Sequence, residues 1–237
     1  MKKIITSITV IFLSLNCYSQ NDNSAHLHYL NQLLEYPFST EKNIQGICFI
    51  TPSNDFDYHQ DSIILNDKDN NPIVRIAFDD SLGVVTNFNG KVFKSFDSSN
   101  PFSPWLWVDN PDYFRLSFEC TDSTENLYKV KLNENEFGWI KKKDKNFKKE
   151  TIKEFILKWT MEPMHLDFNR VTNPLKKEPK YSSIVIENPK VSKYKIWKAE
   201  SIDMEGDWVK VKTVLGEIGW IRWRDGEKVL IRIDYAC

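Results

Sequence analysis

The 237 residues carry 32 lysines and arginines against 33 aspartates and glutamates, a formal net charge of −1, with 14% aromatic residues. This balance lacks the basic excess that generic nucleic-acid binding requires, so no nucleic-acid partner is expected. No two of the four cysteines lie within a few residues of each other and the eight glycines are scattered, so neither a zinc-type spacing nor a glycine-rich phosphate loop is present.

Residues 1–20, MKKIITSITVIFLSLNCYSQ, place Lys2 and Lys3 before an apolar run from Ile4 to Leu15. That run is far shorter than the roughly 20 residues a membrane-spanning helix needs, and it reads as a cleaved signal peptide. The mature chain is therefore expected to be secreted, periplasmic or extracellular, with no transmembrane segment. A lipoprotein would need acylation of Cys17, but Asn16 stands where Gly, Ala or Ser is wanted. Without the signal, 30 basic and 33 acidic residues remain, together with Cys48, Cys120 and Cys237. These three thiols allow one disulfide, in any of three pairings, or none.

Residues 21–60 form an N-terminal extension. Leu27, Leu30, Leu33 and Leu34 at helical spacing predict a short helix over 21–36, and IQGICFI predicts a strand after it. DSIILND, IVRIAF and VVTNFNGKVFKSF predict further strands, with Asn89-Gly90 at a hairpin position. Trp105 and Trp107 alternate in SPWLWV, which puts both rings on one strand face, preferred as a contact between two domains. Between 144 and 171, Phe147, Ile152, Phe155, Ile156 and Trp159 make one apolar stripe, predicting a helix of about three turns.

The chain also repeats itself. Residues 113–144 align without a gap on 194–225, with 11 of 32 positions identical at a constant offset of 81. Average residue usage would give about two. The identities include Glu119/Glu200, Asp122/Asp203, Val130/Val211, Gly138/Gly219 and Trp139/Trp220. One folding unit is therefore used twice. Within each copy, Val209 and Val211 alternate with Lys210 and Lys212, and Tyr128 and Val130 with Lys129 and Lys131, the pattern of strands with one apolar face. The expected units span 61–143 and 172–237, joined by the helical segment.

Gly206, Asp207, Trp208 and Val211, a tight turn, and then Gly219, Trp220 and Ile221 form a pattern that resembles the bacterial SH3-like (SH3b) domains. The first copy keeps Val130, Gly138, Trp139 and Ile140 but has Leu127 where the second has Trp208. The resemblance implies an all-β protein of two small five-stranded SH3-like barrels in tandem, joined by a helix. It also implies a binding module rather than an enzyme, with a peptide or peptidoglycan-like ligand or an envelope protein as partner. By the same resemblance Trp208 is the leading ligand-facing aromatic; Trp223, between Arg222 and Arg224, and Tyr235 are weaker candidates expected near it. Arg222 stands where the groove pattern of signalling SH3 domains expects proline, which departs from proline-rich recognition.

No cofactor or metal is expected. An alternative reading is a divergent hydrolase, or an accessory subunit of a cell-wall hydrolase, with Cys48 serving as nucleophile beside His59 or His165. A buried structural cysteine is the competing reading of Cys48.

Overall fold

The computed structural model describes residues 43–162, 164–188, 196–233 and 235. The signal segment, the helix expected over 21–36 and Cys237 lie outside them. The first half contains β1 Cys48–Pro52, β2 Ile63–Asn66, β3 Pro72–Asp79, β4 Gly83–Phe88, β5 Lys91–Phe93, β6 Leu106–Asp109, β7 Phe114–Ser123, β8 Leu127–Lys131, β9 Phe137–Lys141 and β10 Phe147–Glu150. Helix α1, Ile152–Thr160, leads into β11 Leu166–Asn169, β12 Ile196–Glu205, β13 Trp208–Thr213, β14 Ile218–Arg222, the short pair β15 Arg224–Asp225 and β16 Lys228–Val229, and β17 Ile231–Ile233. The protein is all-β, with antiparallel pairing throughout.

The duplication is visible in the ladders. The order β10-β1-β7-β8-β9 in the first sheet is matched by β17-β11-β12-β13-β14 in the second. In both, the last strand of the unit pairs with the first, and three consecutive strands follow as a meander. Registers agree at the offset read from sequence: Val130 faces Gly138 as Val211 faces Gly219, and Lys129 faces Trp139 as Lys210 faces Trp220. Even the irregularity recurs, since the β7–β8 ladder shifts between Cys120 and Asp122 and the β12–β13 ladder between Ser201 and Asp203. The equivalent strands β1 and β11 extend the correspondence upstream of residues 61 and 172.

The expected closure into barrels is not made. Among the described residues no ladder joins β9 to β10 or β14 to β17. The reason is that other segments occupy the outer edges. Beside β9 runs β2, through Asn66 opposite Trp139, and the sheet continues from there through β3, β4 and β5. Beside β14 lies Lys176, whose backbone N–H and C=O both bond Trp220, at 2.8 and 2.7 Å. Satisfied edge groups leave nothing for a closing strand to pair with.

The β4–β5 hairpin turns at Asn89 and Gly90, both at positive φ (50° and 80°), as the Asn-Gly signal predicts. The helix is shorter than the apolar stripe suggested. Phe147 belongs to β10, where Phe147–Glu150 pairs with β1, and α1 starts at a capping box. The Thr151 hydroxyl accepts from the Glu154 N–H while the Glu154 carboxylate accepts from the Thr151 N–H.

Two apolar cores result. One lies within the first sheet and gathers Cys48, Ile50, Phe102, Phe118, Cys120 and Val130. The other fills the second sheet with Val209, Val211, Ile221 and Trp223, yet also takes Phe49, Trp105 and Leu106 from the first half and Phe155, Ile156 and Trp159 from α1. Phe49 stacks on Phe155 at 3.8 Å and meets Trp105 edge-on at 5.2 Å. The two rings of SPWLWV therefore part: Trp105 makes the contact between the units, whereas Trp107 packs on Phe102 and Phe114 in the first core.

Candidate functional site

The second unit's outer face is built by its central hairpin. Gly206, at φ +54°, allows the tight turn that brings Trp208 to the head of β13. Trp208 pairs directly with Arg222 of β14, so both side chains emerge on the same face, opposite to Val209, Val211 and Trp223. Further along that face Lys210 approaches the ring of Trp220 at 5.9 Å.

The connection between β11 and β12 folds over the head of this face. It is held by the bridge from Lys176 to Trp220 and by a second bridge from Lys176 to Val185. Asn173, 4% exposed, fixes the end of β14, since its side chain accepts from the Arg222 N–H at 3.0 Å and donates to the Arg222 carbonyl at 2.6 Å. The tip of the connection carries Tyr181, 67% exposed, whose ring stands edge-on to Trp208 with centroids 5.6 Å apart. The Arg222 guanidinium lies 4.7 Å from the Tyr181 ring. Arg222 also donates to Asp225 at 2.6 Å, and that bond holds its pKa above the usual arginine value. Asp225 is correspondingly held below the usual carboxylate range. Among the described residues, Nε of Arg222 is buried without a hydrogen-bond partner.

The three aromatic residues nominated from sequence occupy different places. Trp208 sits on the outer face, 8% exposed, with Tyr181 over it. Trp223 is on the inner face, 1% exposed, its indole N–H donating to the Gly206 carbonyl at 3.0 Å. Tyr235 lies at the seam between the units, where its hydroxyl accepts from the Trp105 indole at 2.9 Å and its ring meets Trp159 edge-on. The structure thus brings no two of these three into one site, and it adds Tyr181 and Arg222 to Trp208. Sequence reading missed Tyr181 because it stands in a loop without periodicity, and only the folded connection sets it against Trp208.

A groove of about 380 Å³ also opens between the first half and α1, lined among others by Thr51, Phe56, Tyr58, Arg115, Lys158 and Trp159. The cationic groups of Arg115 and Lys158 both lie over the Trp159 ring, at 5.9 and 5.4 Å. As for the hydrolase alternative, Cys48 is buried against Cys120. His59 packs between Tyr58 and Phe78, at 4.1 and 4.2 Å. Among the described residues, no group of three or more His, Cys, Asp or Glu side chains could hold a metal ion, and no helix is long and apolar enough to cross a membrane.

Compared with known proteins, the chain matches no family model, no curated protein and no solved structure.

Proposed function

We propose that the protein is an exported, non-catalytic binding or scaffolding protein that recognises a peptide-like or cell-envelope ligand through the outer face of its second unit. The observation that carries this reading is the cluster of Tyr181, Trp208 and Arg222. An exposed phenol ring backed edge-on by an indole and flanked by a guanidinium offers apolar area, a hydroxyl and a cation within one small surface. Aromatic and arginine groups dominate recognition energetics, the rings because they bury much area while losing few rotamers and the guanidinium because its planar fork stacks and donates several hydrogen bonds. The SH3-like resemblance points to the same face through Trp208, and the five-stranded order common to both units supports it.

The test is co-sedimentation of the purified protein with isolated peptidoglycan sacculi and, separately, pull-down from a cell-envelope extract. Binding to one of the two is expected, and Tyr181→Ala, at an exposed position that leaves the core untouched, is expected to weaken it roughly tenfold. Trp208→Ala should do at least as much. Retention of full binding in both variants would refute the site, and no binding to either material would refute the ligand class.

A further inference from the structure

A pair of thiols in the first core has no part in the proposed binding face. Cys48 of β1 and Cys120 of β7 are directly opposite each other in the antiparallel ladder. Both side chains belong to the same apolar cluster, with exposures of 1% and 0%, so they lie on one face of the sheet. Directly opposed residues of an antiparallel pair have Cα atoms about 4.5–5.5 Å apart, inside the span of roughly 4.4–6.8 Å that a disulfide bridges. The two thiols are close enough to shift each other's ionisation in opposite directions, and both stand reduced and buried. Cys120 Sγ also donates to the Asp122 carbonyl at 3.3 Å, made possible by the bulge that follows it.

The second unit provides an internal comparison. Ser201 occupies the position equivalent to Cys120, facing Val211 as Cys120 faces Val130. Its hydroxyl accepts from Thr160 of α1 at 2.7 Å. A polar contact therefore recurs at this point of both sheets, but only the first unit fills it with two sulfur atoms.

We infer that Cys48 and Cys120 are a disulfide-forming pair, closed by exchange with a disulfide-bearing oxidant as β1 docks on β7. The Cys48 thiolate attacks one sulfur of the oxidant, forming a mixed disulfide and releasing the oxidant's first thiol. The Cys120 thiolate then attacks Cys48 Sγ and releases the second, so that the protein loses two protons and two electrons and the oxidant is reduced to two thiols. The order follows from the environment. The neighbouring Cys120, assisted by Lys149 and Lys142, lowers the Cys48 pKa to about 7, whereas Cys48 and burial push Cys120 up. The bond would tie the first strand of the unit to the second, closing the loop that holds β2 to β6.

The experiment is refolding of the purified protein in a mixture of oxidised and reduced glutathione, followed by alkylation in denaturant and peptide mapping by mass spectrometry. The expected result is a Cys48-containing peptide linked to a Cys120-containing peptide, and a melting temperature that falls by roughly 5–15 °C when reductant is added. A Cys48→Ser/Cys120→Ser double variant, whose melting temperature should ignore reductant, separates this bond from any made by the other cysteines. Full alkylation of both thiols without prior reduction would overturn the inference, as would linkage of either one to a different cysteine.

Discussion

The repeated glycines Gly138 and Gly219 stand at equivalent positions and should respond unequally to the same substitution. A methyl group on Gly219 would lie 2.7 Å from the Lys176 carbonyl oxygen and 2.8 Å from both Ile186 Cδ1 and Leu175 Cγ. One of these neighbours is backbone, bound to Trp220 through two hydrogen bonds, and cannot retreat without breaking them. On Gly138 the methyl would meet Leu132 Cδ2 at 3.2 Å and Leu65 Cβ at 3.5 Å, and a leucine side-chain end can yield by a few tenths of an ångström. Against both costs stands the smaller entropy of the unfolded alanine chain, worth about 0.4–1 kcal/mol. Gly219→Ala should therefore destabilise by about 2–3 kcal/mol, in the range of overpacked cores, while Gly138→Ala should fall within about 1 kcal/mol of the parent. Urea unfolding followed by tryptophan fluorescence measures both. Because the Lys176 bridge also holds the connection that presents Tyr181, Gly219→Ala should weaken ligand binding and Gly138→Ala should not. Equal stabilities for the two variants, or a neutral Gly219→Ala, would refute the close-approach reasoning.

Phe49 lies on a strand of the first unit but in the core of the second. Phe49→Ala should cost about 3–5 kcal/mol and lower a single cooperative melting transition, whereas two separated transitions would contradict the shared seam. Thr151→Ala removes the hydroxyl half of the capping box at α1 and should cost about 1 kcal/mol in thermal unfolding. The carboxyls of Glu154, held low by the Thr151 backbone N–H, of Asp203, held low by Lys153, and of Asp225, held low by Arg222, are all depressed in the folded protein. Their contribution is present above the ordinary carboxylate pKa and is lost as pH falls through the folded values. Stability should thus decline below about pH 4, and less steeply in an Asp203→Asn/Asp225→Asn variant when followed by urea titration at each pH.

The repeat shows which features a chain can disclose unaided. Alternation in WVKVKT and its counterpart dictates which side of each strand faces the core, and an offset of 81 residues carries that pattern, the paired glycines and the bulge from one sheet to the other. All-β character, the meander and the Asn89-Gly90 hairpin follow from such local physics, because each depends on neighbours a few residues away. The start of α1 is set by the capping box of Thr151 and Glu154, which the apolar stripe around them did not disclose when it suggested a longer helix. Tertiary structure alone decided the rest. Whether a sheet closes depends on which distant segment reaches its edge first, and Lys176 and β2 took those places. Trp208, Trp223 and Tyr235 look alike as aromatic residues of one C-terminal stretch, yet register turns Trp208 outward and Trp223 inward, and the seam takes Tyr235. Tyr181 gains its place only because a folded loop returns it to Trp208, a long-range contact that no spacing along the chain encodes.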